Sequence, residues 1–427
     1  MRRAFQRNQA LFIAWFLLGG VLLIPILTAC SSSKASSPAL STSGNPTLTE
    51  VFRQALSEAT HSIPTATLTP TPSPTATLTA TFTVTPIRTP QALPSPFTTG
   101  LLNPLDTPHT YIRDTCQYLK DRWSPDKSPP GTVVMPIMFH SITDGEVSHP
   151  YQITHARVSQ LLRDLQQQGF EAISMEQLAG FLQHNQKIPF RSVLLIVDDL
   201  HSEAYYRDHF EAFLRENHWV LTNAWISEPE ASQRVLSENQ KLQNEGWVDH
   251  QAHGVIHNIN INEFKPGAMI DTPLYGNITA EQFTRNELEG SMRRITEVFG
   301  KAPIAYIWPG GNFSKLGVQI AREVGYQLGF TVNPRGPLMY NWIPLADSED
   351  PARPSFRPEG YVQDPLMVLP RYWDQDASSH IDTVRQISKQ AADAALQTQA
   401  IELEYYDLVC RSKYGPVEEP VSPTPTP

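Results

Sequence analysis

From residue 132 onward, the hydrophobic and polar positions of the chain alternate between two periodicities. Val193 to Val197 is an unbroken apolar run, which is typical of a strand covered on both faces. The apolar positions of residues 158–165 instead recur at helical spacing, and Gly169 follows them as a stop signal. Strands that alternate with helices in this way predict right-handed β-α units and a parallel sheet or barrel.

Periodicity and capping residues predict the remaining elements. Further strands are predicted at 132–139, 170–173, 220–226, 304–308, 327–332 and 368–369. Further helices are predicted at 202–216, 230–244, 279–299, 316–324 and 380–406. Ser174 with Gln177, and Thr279 with Gln282, have the spacing of capping boxes at the starts of two helices. About seven strands in this length fit a barrel better than an open sheet, with a C-terminal helix after the last strand.

The N-terminus has the features of an export signal. Three arginines among the first seven residues precede an apolar stretch at 10–27, and Leu27-Thr28-Ala29-Cys30 follows it. This tetrapeptide resembles a bacterial lipobox, which predicts a signal peptide at 1–29 and a lipid anchor on Cys30. The alternative is an uncleaved signal anchor, because about 18 apolar residues can also span a bilayer. Both interpretations predict an extracytoplasmic protein at the bacterial cell surface.

Composition separates the two ends of the chain from its middle. In residues 61–100, 21 of 40 residues are Thr or Pro and Arg88 is the only charged residue, so little apolar area is available to offset ordering entropy. We therefore predict a disordered Ser/Thr/Pro-rich linker at 30–108, a folded domain at about 110–412 and a disordered tail at 413–427. The net charge of −10 argues against nucleic acid as a partner.

The chain has three cysteines, and lipidation of Cys30 leaves two. Cys116 and Cys410 stand near the two ends of the predicted domain, in a compartment where disulfides form. We predict that these two residues pair, the alternative being two separate buried thiols.

The strongest chemical signal is a pair of aspartates followed by a pair of histidines. Asp198 and Asp199 end the strand that contains Val193, and α/β folds place their chemistry at such strand ends. His253 and His257 are four residues apart, so on a helical turn both rings would point the same way. One carboxylate oxygen and two imidazoles make a three-ligand divalent-metal site, which leaves the other aspartate to act as a base. Each pair also has an ordinary alternative, a helix cap for the aspartates and core or surface residues for the histidines.

A glycine-containing turn is the third chemical signal. The strand ending at Trp308 runs into Pro309, Gly310 and Gly311, which permit a tight turn and a close approach of backbone to a ligand. Backbone N–H groups in such a turn can face an oxyanion, although an ordinary strand-to-helix loop would have the same sequence.

Taken in order, these elements resemble the polysaccharide deacetylase (NodB-homology) family over residues 132–373. The family patterns Thr-Phe-Asp-Asp-Gly, His-x-x-x-His and Arg-x-Pro-Tyr-Gly match residues 196–200, 253–257 and 307–311. Met138-Phe139-His140-Ser141-Ile142 looks like the Tyr-His-Ser-Val opening of many members. Val368-Leu369-Pro370-Arg371-Tyr372 looks like the Leu-Pro-Arg segment of the poly-β-1,6-N-acetylglucosamine N-deacetylase branch.

The resemblance implies an irregular (β/α) barrel and metal-dependent removal of acetyl groups from an N-acetylated polysaccharide. Asp199, His253 and His257 would hold a divalent metal such as Zn²⁺, and Asp198 would be the base. His140 would be the general acid, although a packed first-strand residue is an equally simple interpretation. The resemblance implies substrate contacts by Trp308, Pro309, Gly310, Arg371 and Tyr372, with Trp308 and Tyr372 equally acceptable as core residues.

Three departures from the family pattern bear on activity. Leu200 replaces the glycine after the aspartates, Ile307 replaces the arginine that orients the catalytic aspartate, and Gly310 replaces a tyrosine. The alternative function is therefore a catalytically silent relative that binds glycan at the cell surface. His201 and His250 are further residues that could replace a ligand or an acid. Removal of O-acetyl groups from another polymer is a third possibility.

Overall fold

The structure is a computed structural model that describes residues 88–228, 231–259, 261, 264–353 and 356–417. The predicted signal peptide, Cys30 and most of the predicted linker and tail lie outside these residues and stay predictions. No helix among the described residues is both long enough and apolar enough to cross a membrane.

Fourteen strands are formed by the described residues. They are β1 Asp106–His109, β2 Val133–Phe139, β3 Ser141–Thr143, β4 Gln152–Thr154, β5 Glu171–Ala172, β6 Arg191–Asp198, β7 Leu221–Trp225, β8 Val248–Ala252, β9 Met269–Thr272, β10 Gly276–Thr279, β11 Ala305–Ile307, β12 Leu328–Phe330, β13 Ile343–Ala346 and β14 Tyr372–Trp373.

The same residues form ten α-helices. They are α1 Thr115–Trp123, α2 His155–Gln167, α3 Met175–His184, α4 Glu203–Tyr206, α5 Ala212–Asn217, α6 Gln233–Glu245, α7 Ala280–Phe299, α8 Lys315–Val324, α9 Ala377–Tyr405 and α10 Arg411–Tyr414. A π-helical turn at Arg207–Glu211 joins α4 to α5, and both predicted capping boxes, at the starts of α3 and α7, are confirmed.

The main sheet confirms the predicted parallel barrel architecture. Its strand order is β12-β11-β8-β7-β6-β2-β14, with β5 added beside β6, and every pairing in it is parallel. The segment that ends in β14 links the two edges of this sheet, because Leu369 bridges to Phe330 in β12 and Tyr372 pairs with Ile137 in β2. The carboxyl ends of all these strands therefore gather at one end of an irregular barrel.

Burial on both faces explains the unbroken apolar run of β6. Leu194 and Ile196 pack into one hydrophobic cluster, which also contains Trp308, whereas Val193 and Leu195 pack into a second cluster with α2 and α9. Both clusters are needed to cover this strand, so a helix layer on the outside of the barrel is required.

The structure departs from the predicted elements at the two ends of the domain. The last regular strand is Tyr372–Trp373 rather than 368–369, since residue 369 contributes only a single bridge. β1 pairs antiparallel with β13, so the folded domain begins before the predicted linker boundary at 108. Cys116 and Cys410 form a disulfide that joins α1 to the end of the C-terminal helical segment, across a Cα–Cα distance of 5.2 Å.

Candidate active site

The predicted metal ligands meet at the carboxyl end of the barrel. Asp199 follows β6, and both histidines lie in the loop after β8. The Oδ1 atom of Asp199 lies 3.9 Å from Nε2 of His253 and 3.8 Å from Nε2 of His257. Their ligand atoms all lie within 4.8 Å of one another, which is the spacing needed to hold one metal ion.

Convergence of the two histidines does not come from a helical turn, so that part of the prediction is wrong. Residues 253–257 form an irregular loop in which Gly254 and His257 have φ values of 82° and 52°. Glu287 of α7 holds this loop, since its Oε2 accepts hydrogen bonds from the N–H groups of Val255 and Ile256. The buried carboxylate of Glu287, rather than a helical turn, therefore shapes the loop that brings the two imidazoles together.

The left-handed backbone at the aspartates falls on Asp199 itself. Asp199 has a φ of 78°, whereas Leu200 has no positive φ. Leu200 occupies the position where the family pattern has glycine, but its backbone is not left-handed. A leucine therefore fits this position without backbone strain. Non-glycine residues in this region are uncommon and cluster at functional sites.

His253 is held as a neutral imidazole. Its Nδ1 lies 2.8 Å from the carbonyl oxygen of Ile307, so Nδ1 carries the proton and Nε2 keeps its lone pair on the side of Asp199. Burial of the ring lowers the pKa of His253 to about 4, despite the opposing charge of Asp198. Both effects keep a metal-binding nitrogen available at neutral pH.

Asp198 is buried next to the candidate metal ligand Asp199 and is bound by an arginine. Arg371 donates from Nη1 to Oδ1 at 2.6 Å and from Nη2 to Oδ2 at 2.9 Å, and its Nε donates to the carbonyl of Thr331. Burial alone would raise the pKa of Asp198, but the charge of Arg371 outweighs it and holds that pKa below its usual range. The carboxylate is thus ionised and fixed in orientation.

His140 also lies beside Asp198. It follows β2, and its Nε2 is 3.5 Å from Oδ2 of Asp198. Its ring stacks on Trp373 at a centroid distance of 5.4 Å, and Tyr205 donates a hydrogen bond to its backbone carbonyl. The side chain keeps 20% exposure, so His140 can meet both Asp198 and a ligand from solvent.

Most of the residues predicted to contact substrate are buried. Arg371 and Trp308 have no exposed surface and Tyr372 has 4%, so none of these side chains is placed for sugar stacking. Trp308 instead donates from Nε1 to the carbonyl of Met367, and Arg371 binds Asp198. Pro309 is also buried. Of the five residues predicted to contact substrate, only Gly310 is exposed.

The turn at Pro309–Gly311 packs against the histidine loop. Gly310 has a φ of 61°, and a Cβ atom placed there would lie 3.2 Å from the side chain of Ile259. Asn312 Nδ2 donates to the carbonyl of Ile259 at 2.6 Å. A glycine at 310 therefore permits the close approach of the two loops that border the metal ligands.

The two additional histidines differ in their surroundings. His250 is buried, with its ring nitrogens 2.9 Å from Gln243 Oε1 and 3.1 Å from Asn239 Oδ1, so it belongs to the packing of β8 on α6 rather than to the site. His201 lies at the site, where its Nε2 is 3.0 Å from the carbonyl of Asp198 and its ring stacks on Tyr205.

An exposed aromatic pair at the site has no counterpart in the sequence predictions. The rings of Tyr151 and Trp373 lie 5.8 Å apart, and both rings face His140. Tyr151 is 56% exposed and Trp373 is half-buried. The only sequence signal for this pair is the position of Trp373, directly after the Leu-Pro-Arg-Tyr segment.

Asp374 is a second residue that the sequence reasoning missed. It is buried next to this aromatic pair, and its Oδ2 has no hydrogen-bond partner among the described residues. Burial raises the pKa of Asp374 to about 7, with the charge of Arg157 acting in the opposite direction.

Family comparison agrees with this arrangement. Residues 185–329, about a third of the chain, match the family model described as polysaccharide deacetylase. Over this segment the chain is similar to the polysaccharide deacetylase family. The matched segment contains Asp198, Asp199 and both histidines, whereas His140 and Arg371 lie outside it and join the site through β2 and β14.

Solved structures that the chain resembles include three bacterial proteins. The Streptococcus pyogenes deacetylase PplD has 17% identity and a TM-score of 0.44, covering 59% of this chain and 98% of that one. IcaB from Ammonifex degensii has 16% identity and a TM-score of 0.41, covering 61% of this chain and 97% of that one. The BpsB deacetylase domain from Bordetella bronchiseptica has 17% identity and a TM-score of 0.40, covering 57% of this chain and 96% of that one. A search of curated proteins finds no match.

Proposed function

We propose that this chain is an active, metal-dependent hydrolase of the polysaccharide deacetylase family, which removes acetyl groups from an N-acetylated extracellular or cell-wall polysaccharide. The observation that carries the proposal is the convergence of Asp199, His253 and His257 beside an aspartate that Arg371 holds ionised. A metal site next to a fixed carboxylate is the minimum set for amide hydrolysis by water.

The donor atoms present fit a divalent ion of the zinc type. Two imidazole nitrogens and one carboxylate oxygen are a common catalytic ligand set that leaves coordination positions open. The bond from His253 to Ile307 fixes the ring orientation as outer-shell partners of metal ligands do. When bound, such an ion supplies Lewis-acid polarisation of the acetyl carbonyl and lowers the pKa of water.

Asp198 acts as the base in this proposal. Arg371 occupies one lone-pair direction of each carboxylate oxygen, and each oxygen has a second one with which to accept a proton from the attacking water. A low pKa makes Asp198 a weak base, but it ensures that the carboxylate is free of a proton when substrate arrives. Gly310, at the exposed turn, is the candidate for a backbone N–H contact to the developing oxyanion.

His140 acts as the general acid that protonates the leaving amine. Its Nε2 faces Asp198, so a proton taken by the carboxylate and a proton given to the amine are exchanged within one small group of atoms. Trp373 stacked on the ring restricts its rotation. The pair Tyr151 and Trp373 forms an aromatic surface beside His140 on which a sugar ring can pack.

The silent-relative alternative depended on the altered Arg-x-Pro-Tyr-Gly pattern, in which Ile307 replaces the arginine and Gly310 replaces the tyrosine. Arg371 performs the expected task of that arginine, since it binds both oxygens of Asp198 from the segment before β14. The replacement by Ile307 therefore no longer argues against catalysis. Removal of O-acetyl groups would use the same residues and is distinguished by substrate.

Metal content and acetate release test the proposal together. The purified protein is expected to retain a divalent metal and to release acetate from chitooligosaccharides or from β-1,6-linked N-acetylglucosamine oligomers. A metal-loaded protein that releases acetate only from O-acetylated polymers would move the substrate to esters. A metal-loaded protein without turnover on any of these would favour the silent glycan-binding relative.

We further propose that the mature chain begins at a lipidated Cys30 and is held outside the bacterial cytoplasmic membrane. The support is the Leu27-Thr28-Ala29-Cys30 sequence after a basic and apolar segment. The expected result is a mature N-terminal peptide that starts at Cys30 and carries diacylglycerol, seen by mass spectrometry. Cys30→Ser should leave the precursor uncleaved, and an N-terminus elsewhere would contradict the anchor.

A further inference from the structure

A second cluster of metal-ligating side chains lies away from Asp198 and Asp199. Asp144 follows β3, His155 is the first residue of α2, and His209 is in the π-helical turn between α4 and α5. One ligand atom from each of the three lies within 4.8 Å of the other two. Nδ1 of His155 is 3.5 Å from Oδ1 of Asp144 and 3.2 Å from Nδ1 of His209.

The chain is folded locally in a way that aims His209 into this cluster. A π-helical turn adds a residue to the helix and redirects the side chains on it, and such turns are frequent at functional sites. Arg207 fixes the turn through ion pairs to Glu203, Glu211 and Glu245. The ring of Tyr205 contacts that of His209 edge-on at 5.3 Å, which restricts the imidazole further.

The donor set and its exposure suit a borderline divalent cation. The two imidazole nitrogens face each other, and the rings are nearly perpendicular at a centroid distance of 5.0 Å. Asp144 is 84% exposed, so an ion can enter from solvent and complete its coordination with water. Two imidazoles with one carboxylate favour Zn²⁺, Ni²⁺ or Cu²⁺ over Mg²⁺ or Ca²⁺.

This cluster is connected to the active site at two points. Asp144 begins the loop 144–151 and Tyr151 ends it, and Tyr151 is half of the aromatic pair beside His140. Tyr205, which contacts His209, donates its hydroxyl to the backbone carbonyl of His140 at 2.7 Å. Hydrogen bonds within the loop are short-range, from Gly145 to Thr143 and from Ser148 to Gln152.

We propose that Asp144, His155 and His209 form a second divalent-cation site, separate from Asp199, His253 and His257, that ties the loop 144–151 to α2 and to the turn before α5. An ion held there joins the start of the loop 144–151 to α2 and to the turn before α5. The other end of the loop, next to Tyr151, is already held by Gln375, whose Nε2 donates to the carbonyl of Pro150. The site is independent of the proposed function, since it would bind metal whether or not the protein turns over a glycan.

The first test counts zinc in full-length protein with either site removed. Equilibrium dialysis with Zn²⁺ should give two ions per chain for the wild type and one for His257→Ala, in which the second site remains. His155→Ala and His209→Gln should each also hold one ion, and His257→Ala with His155→Ala should hold none. His149→Ala is the matched control, because it removes an exposed imidazole of the same loop that lies outside the cluster, and it should keep two.

The second test reads the loop directly. In the His257→Ala background, Zn²⁺ should slow hydrogen exchange of the peptide spanning 144–151, and His209→Gln should abolish that effect. One ion per chain in the wild type, with His155→Ala and His209→Gln unchanged from it, would overturn the proposal. So would two ions per chain with no change in exchange at 144–151. The use of two different cluster variants separates loss of a ligand from local misfolding, because Gln at 209 keeps a polar side chain in the turn.

Discussion

Arg371 binds both carboxylate oxygens of Asp198 across 173 residues of sequence, with N–O distances of 2.6 Å and 2.9 Å. Neither side chain is more than 2% exposed. The pair connects β6 to the segment before β14, and the third donor of Arg371 binds Thr331 beyond β12. Three strands of the barrel are thereby fastened at the point where the proposed base is held.

Replacement of Arg371 is expected to lower the rate through the orientation of Asp198. Arg371→Lys keeps a positive charge but loses the paired donors, so a fall in kcat on the order of 100-fold is expected. Arg371→Met leaves a buried carboxylate unpaired and should also cost about 3–5 kcal/mol of unfolding free energy. Acetate release and urea unfolding measure the two effects.

Arg322→Lys is the matched control, because Arg322 also binds a carboxylate with two donors, that of Asp364, but at a partly exposed position. It should change kcat little. A wild-type kcat in Arg371→Lys would show that a fixed Asp198 is not needed for turnover.

Substitutions at the two adjacent aspartates should separate metal binding from proton transfer. Asp199→Ala, His253→Ala and His257→Ala should each lose the metal of the active site, because each removes one of three ligands. Asp198→Asn should retain that metal and lower the rate by about 10²–10⁴, the usual contribution of a positioned base. Metal analysis and single-turnover acetate release on the same samples test both statements. Full turnover in Asp198→Asn would refute the assignment of the base.

Removal of the His140 imidazole should affect the step that releases the amine. His140→Ala is expected to lower kcat by about 10²–10⁴ on N-acetyl substrates, with a much smaller effect on an acetyl ester that has a good leaving group. His149→Ala, at an exposed position of the neighbouring loop, serves as the control. Equal losses on both substrates would indicate that His140 has a positioning role and that the acid lies elsewhere.

The exposed aromatic pair should determine affinity for glycan. Tyr151→Ala and Trp373→Ala are each expected to raise KM on oligomers by roughly 5- to 30-fold, since a stacked ring contributes about 1–2 kcal/mol. Phe190→Ala is a matched control, because Phe190 is an exposed aromatic residue that precedes β6 at the opposite end of the barrel. Unchanged KM values in both variants would place the sugar on another surface.

Local patterns in the sequence predicted most strands of the main sheet, most of the long helices and the candidate metal ligands. The apolar run of β6, the two capping boxes and the Asp-Asp and His-x-x-x-His pairs each depend on residues that are close in the chain. The partners of those residues could not be predicted in the same way. Glu287 shapes the histidine loop and Arg371 binds Asp198, and both act through contacts that exist only after the barrel has formed.

Besides long-range partners, the exposure of individual side chains could not be predicted from local sequence patterns. Trp308 follows β11 in a position that would suit sugar stacking, but packing among Tyr306, Gly317 and Gly329 encloses its ring. The more exposed ring is that of Trp373, which is half-buried and lies on the neighbouring edge of the same barrel end. Which of two tryptophans faces solvent depends on the closure between β12 and the segment leading to β14, and no local periodicity reports that closure.

The raised pKa of Asp374 predicts a pH-dependent gain in stability for Asp374→Asn. In the unfolded chain this carboxyl ionises near pH 4, whereas burial raises its pKa to about 7 in the folded protein. As pH rises from 4 to 7, the unfolded state loses its proton first, so this residue lowers the stability of the wild type over that window. The penalty is fully present above pH 7 and is on the order of 4 kcal/mol, at about 1.36 kcal/mol per unit of pKa difference.

Asparagine carries no such charge, so the difference in unfolding free energy between the Asp374→Asn variant and the wild type should increase from pH 5 to pH 8. Urea unfolding at both values measures it, with the exposed neighbour Asp376→Asn as the control. A difference that is the same at both pH values would mean that Asp374 is already ionised in the folded protein at pH 5.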